Sequence, residues 1–124
     1  MNSKVFLVAR ILLGLFVLFF GLNKFFGFLE FGEMPEAAVN YFVGVGPTHV
    51  LKIVGIIEIL AGIAFILNKY GSLMALILMS ISVNAVLFHA TLAPSDIQGA
   101  LILLVLNIVV LLGYKDRYKD ILRA

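Results

Sequence analysis

Cysteine is absent from this 124-residue chain, and charge is scarce. Without cysteine the chain forms no disulfide, offers no thiolate nucleophile, and cannot ligate zinc or an iron–sulfur cluster through sulfur. Any redox role therefore calls for a bound cofactor or a partner protein. Charged residues make up 13% of the chain, about half the share usual in soluble domains. The excess of nine Lys and Arg over seven Asp and Glu gives a net charge of +2, too little for a nucleic-acid surface. Proline is rare too: Pro35, Pro47 and Pro94 are all there is, and each falls between apolar runs. There is no Ser/His/Asp arrangement, no phosphate-binding loop and no metal-ligand spacing.

What fills the chain is hydrocarbon. Hydrophobic residues are 63% of the sequence and the mean hydropathy is +1.15, the composition of a membrane protein. Four apolar segments are long enough to cross a bilayer, at residues 5–22, 50–67, 72–92 and 96–113. They predict an all-α integral membrane four-helix bundle in one domain spanning residues 1–124. Lys4 ahead of the first segment resembles the charged start of a signal peptide, but no small-x-small cleavage site follows, so the segment reads as a retained helix.

The links set the topology. Residues 68–71, and three residues around Pro94, are short enough to force two antiparallel hairpins. Ser95 and Gln98 fit a capping box opening the fourth segment. The connection 23–47 is too long for a turn. Its phenylalanines (Phe25, Phe26, Phe28 and Phe31) suit an interfacial or re-entrant stretch. A short helix is predicted near 35–43, with Pro35 at its first position, Glu33 and Glu36 by the positive end of its dipole, and Gly44 as its cap. In the tail 114–124, Tyr114, Tyr118, Ile121 and Leu122 recur on one helical face, which predicts a short amphipathic helix or else a solvated end.

Four spans place both termini on one side. Lys4, Lys69, Lys115, Arg117, Lys119 and Arg123 lie there, against Lys24 and Lys52 on the other. The positive-inside rule then puts the termini in the cytoplasm. Glu30, Glu33, Glu36 and Asp96 fall on the outer side.

Glu58 is the odd residue. A carboxylate in mid-span costs about 2.5–3.5 kcal/mol on insertion scales, so it faces protein or water and has a partner. Counting from the inner helix ends at 1.5 Å per residue places Glu58 about 14 Å deep and Arg10 about 8 Å deep, within the roughly 6–7 Å reach of an arginine. Arg10 either pairs with Glu58 or snorkels to the headgroups. Asn84 lies near the level of Glu58, with Ser80 one turn away, and Asn107 lies near that of Arg10. A buried polar cluster of Arg10, Glu58, Asn84 and Asn107 is therefore expected, although each asparagine alone is explained by an interhelical hydrogen bond. His49 and His89 both lie toward the outer side. A hydrogen-bonded or cavity-facing histidine is a simpler reading of either than haem ligation. Gly14 and Gly21, and Gly55 and Gly62, repeat at seven residues and mark faces where helices approach closely.

Ala9-Arg10, Gly14 and Phe16, then Gly21-Leu22-Asn23-Lys24, then Glu58 with Gly62, and finally Phe88-His89, together resemble the DoxX family of small bacterial membrane proteins. The resemblance implies four spans and a buried Arg/Glu constellation. It also implies association with quinone-linked redox systems, with no catalytic residues to carry over. A quinone site pairs apolar walls with a few polar groups, which here are Lys24, His89 or Asn84. The alternatives are a non-catalytic scaffold held together by Arg10 and Glu58, and a proton or small-solute path. The partners expected are the lipid bilayer, a second copy of the chain or a redox complex, and no nucleic acid.

Overall fold

The computed structural model describes residues 1–27 and 33–124. Phe28, Glu30 and Phe31 of the long connection lie outside the described residues. Among the described residues five α-helices form: α1 (Ser3–Phe26), α2 (Glu36–Val45), α3 (Val50–Leu67), α4 (Gly71–Leu92) and α5 (Ile97–Gly113). All but α2 are long and apolar enough to cross a membrane. They are apolar on every side: Leu12, Leu15, Ile56, Leu60, Val83, Leu87 and Val105 point outward from the bundle. A helix with no polar face and an exposed apolar exterior belongs in lipid.

The bundle closes as a ring in which α1 lies between α3 and α5, and α4 joins α5 to α3. The tightest seam is α1 against α3. A Cβ on Gly14 would sit 3.1 Å from the Gly62 carbonyl oxygen, and one on Gly21 would sit 2.9 Å from that of Gly55. With no side chain at these four positions the two backbones touch, which replaces the hydrophobic drive that helices lack inside lipid. The inner core next to this seam is Leu13, Val17, Phe65, Leu78 and Val110, all fully buried.

Local structure departs from the sequence reading at three places. The capping box at Ser95 does not form. Pro94–Asp96 make a 3-10 turn closed by the Asp96 N–H on the Ala93 carbonyl, and α5 begins after it with no side-chain cap. Proline's fixed φ starts the tight turn one residue before Ser95 can act as a cap. Pro35 precedes α2 as its N-cap residue rather than as its first helical one, and Gly46 rather than Gly44 ends that helix.

The third departure is the tail. It forms only a 3-10 turn, Lys115–Tyr118, and Ile121 and Leu122 are exposed. Its two tyrosines are drawn inward instead. Tyr114 donates to Asn68 Oδ1 (2.5 Å), and Tyr118 donates to the Ser72 carbonyl (2.9 Å). These bonds fasten the end of α5 to the α3–α4 turn, and Gly71 leaves the space that the Tyr114 ring occupies. The cost of burying two phenols unpaired selects this docking over an amphipathic helix.

A candidate ligand cavity

The polar side chains of the four spans fall into three separate places. Arg10 lies at the terminal end of the bundle and donates from Nη1 to the carbonyls of Phe65 and Ile66 (3.3 Å to the latter). Those carbonyls belong to the last turn of α3, where the helix runs out of donors; the Phe65 carbonyl otherwise accepts a long bond (3.4 Å) from the Asn68 N–H at the cap. A cation there also meets the negative end of the helix dipole. The Phe6 ring packs 5.9 Å from the guanidinium, and Arg10 Nε is buried with no acceptor among the described residues.

Asn107 is elsewhere. It is fully buried between α5 and α4, accepting from Ser82 Oγ (2.7 Å) and donating to the Ala75 carbonyl (3.1 Å). These bonds tie two helices together and use the polar groups of both side chains.

Glu58 and Asn84 are in the third place, the walls of a cavity of about 910 Å³ toward the α2 end of the bundle. Glu58 pairs with Lys24 at 2.5 Å, not with Arg10. The facing glycines explain the exchange. They set residue 14 beside 62 and residue 21 beside 55, so Arg10 runs alongside Ile66, eight residues and about 12 Å from Glu58. That is one turn further than depth counting from the helix ends gives, and beyond an arginine's reach. Lys24 and Glu58 lie to either side of the Gly21–Gly55 contact: a Cβ on Gly55 would sit 3.3 Å from Lys24 Cβ, and one on Gly21 would sit 3.0 Å from Glu58 Cβ, so the lysine stem reaches across the seam. The close backbone approach thus brings the two side chains together. Matching the two seven-residue glycine pairs across antiparallel helices is the signal in the sequence that gives this register.

The pair is asymmetric. The Lys24 side chain is 28% exposed and the Glu58 side chain 5%. Glu58 Oε1 receives no well-directed hydrogen bond among the described residues, so the close ammonium is its compensation. Lysine, with three donors and a flexible stem, is the group presented to the cavity.

Across from the pair, α4 supplies Ser80, Asn84, Phe88 and His89 to the cavity wall. Asn84 makes no hydrogen bond within the described residues, whereas Ser80 donates back to the Ile77 carbonyl. The imidazole of His89 places Nδ1 3.3 Å from the Ala93 carbonyl. A carbonyl only accepts, so Nδ1 is the donor in this contact. His49 is exposed at the start of α3 and is not part of this wall.

Aromatic rings supply much of the remaining lining. Phe16 and Phe20 stack at 4.8 Å on α1. Tyr41 and Phe42 of α2 close on Phe88 at 5.0 and 5.2 Å. Sequence reasoning missed the part played by Tyr41 and Phe42, because nothing in a one-dimensional pattern says where a helix outside the four spans will dock. Asp96 and Gln98, at the junction into α5, complete the polar edge. No cluster of three or more metal-ligating side chains occurs among the described residues. The arrangement accepts a molecule with a flat apolar body and a few hydrogen-bonding oxygens.

A family model, DoxX, matches residues 5–91, which run from α1 to the end of α4. No curated protein matches the chain. No solved structure matches it either.

Proposed function

This chain belongs to the DoxX family, and from that premise we propose that it is a membrane subunit or partner in a quinone-linked redox system, with the cavity holding the quinone head. The observation that carries the reading is the cavity itself. Its aromatic walls bear one presented ammonium, Lys24, and an amide, Asn84, that makes no hydrogen bond among the described residues. A quinone ring stacks on such walls and offers carbonyl oxygens to both donors. A volume near 910 Å³ lies within the range of small-molecule sites, roughly 300–1,000 Å³. The basic residues at the terminal end support an inner-membrane location with both termini in the cytoplasm.

The alternative is a structural partner without a ligand, favoured by the way the Lys24–Glu58 pair joins α1 to α3. A proton or solute path has less support. Between the cavity and the terminal end lie Leu13, Val17, Phe65, Leu78 and Val110, and the nearby Ser82 and Asn107 bond to each other and to a backbone carbonyl.

The test is to purify the protein in mild detergent, extract it, and quantify quinones against an unrelated membrane protein prepared in the same way. A short-chain benzoquinone is then titrated into the quinone-free protein. Enrichment or saturable binding that weakens in Asn84→Leu supports the reading. Neither enrichment nor binding leaves the structural alternative.

A further inference from the structure

We propose that the cavity takes up one proton with its ligand: Lys24 turns from Glu58 to an acceptor oxygen of the bound head group, and Glu58 is protonated from water as its counter-ion leaves. This rests on the reading of the cavity as a ligand site.

Four observations lead to it. Lys24 is the one lysine or arginine lining the cavity among the described residues, so an acceptor oxygen is drawn to it. It is also the accessible member of the pair, while Glu58 is 4% exposed. Among the described residues, Glu58 Oε1 has no well-directed donor to replace the ammonium. A buried carboxylate that loses its compensating cation neutralises by binding a proton rather than remaining charged.

The other titratable groups facing the cavity are Tyr41 from α2, His89 from α4 and Asp96 from the turn ahead of α5. The α5 helix contributes Gln98, which does not titrate, and α1 contributes only Lys24. His89 is held through Nδ1 on the Ala93 carbonyl. Asp96 is exposed beside that turn, and among the described residues the ion-pair partner of Lys24 is Glu58.

The sign follows from linkage. The liganded state binds one more proton than the free state, so affinity strengthens as pH falls, by up to tenfold per pH unit between the titrations of Glu58 in the two states. A neutral carbonyl compound fits this exchange, since the ion pair's negative member is switched off as its positive member is engaged.

The experiment is isothermal titration of the whole chain in detergent with a decyl-chain benzoquinone, in two buffers of different ionisation enthalpy at one pH, and then across pH. The expected result is uptake of about one proton in the wild type and none in Glu58→Gln, whose affinity is flat with pH. Lys24→Gln, in which Glu58 has no ammonium to lose on binding, is expected to show no uptake either and serves if Glu58→Gln fails to fold. Binding without uptake at any pH, or uptake that survives Glu58→Gln, overturns the proposal while leaving the cavity a quinone site. Absence of binding to the wild type at every pH overturns the quinone reading itself, and the proposal with it.

Discussion

Gly21 and Gly55 face each other across the α1–α3 seam so closely that a Cβ on Gly21 would sit 2.9 Å from the Gly55 carbonyl oxygen and 3.0 Å from Glu58 Cβ. The same contact that packs two helices therefore sets the spacing of the Lys24–Glu58 pair, whose members lie to either side of it.

Gly21→Ala is expected to force the helices apart and lower stability by about 1–3 kcal/mol, the cost of overpacking a close contact. Gly44→Ala, where an added Cβ meets nothing within 4 Å, is the control. Thermal unfolding in detergent distinguishes them, and equal melting temperatures would show that the seam tolerates separation.

Removing one member of the buried pair differs from removing both. Lys24→Met leaves Glu58 without its counter-ion and is expected to cost about 3–5 kcal/mol, less whatever protonation of Glu58 recovers. Lys24→Met combined with Glu58→Met is expected to be more stable than Lys24→Met alone, because no charge is stranded. A double-mutant cycle on melting midpoints measures the coupling, and strictly additive effects would deny that the two groups interact.

Arg10→Met is expected to destabilise by about 1.5–3 kcal/mol, the range for hydrogen bonds to a charged donor. Arg10→Lys recovers part of the loss, since an ammonium still complements the end of α3 but lacks the guanidinium fork. Neither substitution touches the cavity. Ligand affinity measured beside stability should therefore stay constant, and a large fall in affinity would contradict the separation of the two sites.

The tail makes a pH prediction. Burial, with the neighbouring Tyr114 second, pushes the Tyr118 phenol up to about 12 from its ordinary 10. Its folded form holds the proton more tightly than the unfolded chain. Its contribution to stability is thus complete below about pH 10 and is lost as pH rises toward 12. Ultraviolet titration of wild type and Tyr118→Phe should show one high-pH phenol missing from the variant. A Tyr118 that ionises with the exposed tyrosines would mean that the tail is not docked.

How much of this was readable in advance depends on the kind of signal. The four spans were legible because a predominantly apolar run of 18 residues or more, with few charges, is written in consecutive letters. The two hairpins followed from loops too short for any other path. The glycine spacing marked the faces of close approach. The partner of Glu58 was not legible from depth alone, because α1 begins at Ser3 rather than near residue 5 and runs on to Phe26. An offset of one turn between α1 and α3 exchanges Lys24 for Arg10. Asn107 joined the expected cluster by depth, yet depth says nothing of which way around the helix a side chain points. Tyr114 and Tyr118 were correctly placed on one face, but that face meets the α3–α4 turn rather than the headgroups, a choice made by two hydrogen bonds far apart in sequence.

Those two bonds bear on how the bundle is made. Arg10 can reach the end of α3 once the first 67 residues are in the membrane. The turn that follows, by contrast, finds its hydroxyl partners only after Tyr118 has left the ribosome. The ring of helices is thus fastened by residues made after the fourth span. An early stop that leaves all four spans intact but removes Tyr114 and Tyr118 would give a chain able to insert yet unable to lock.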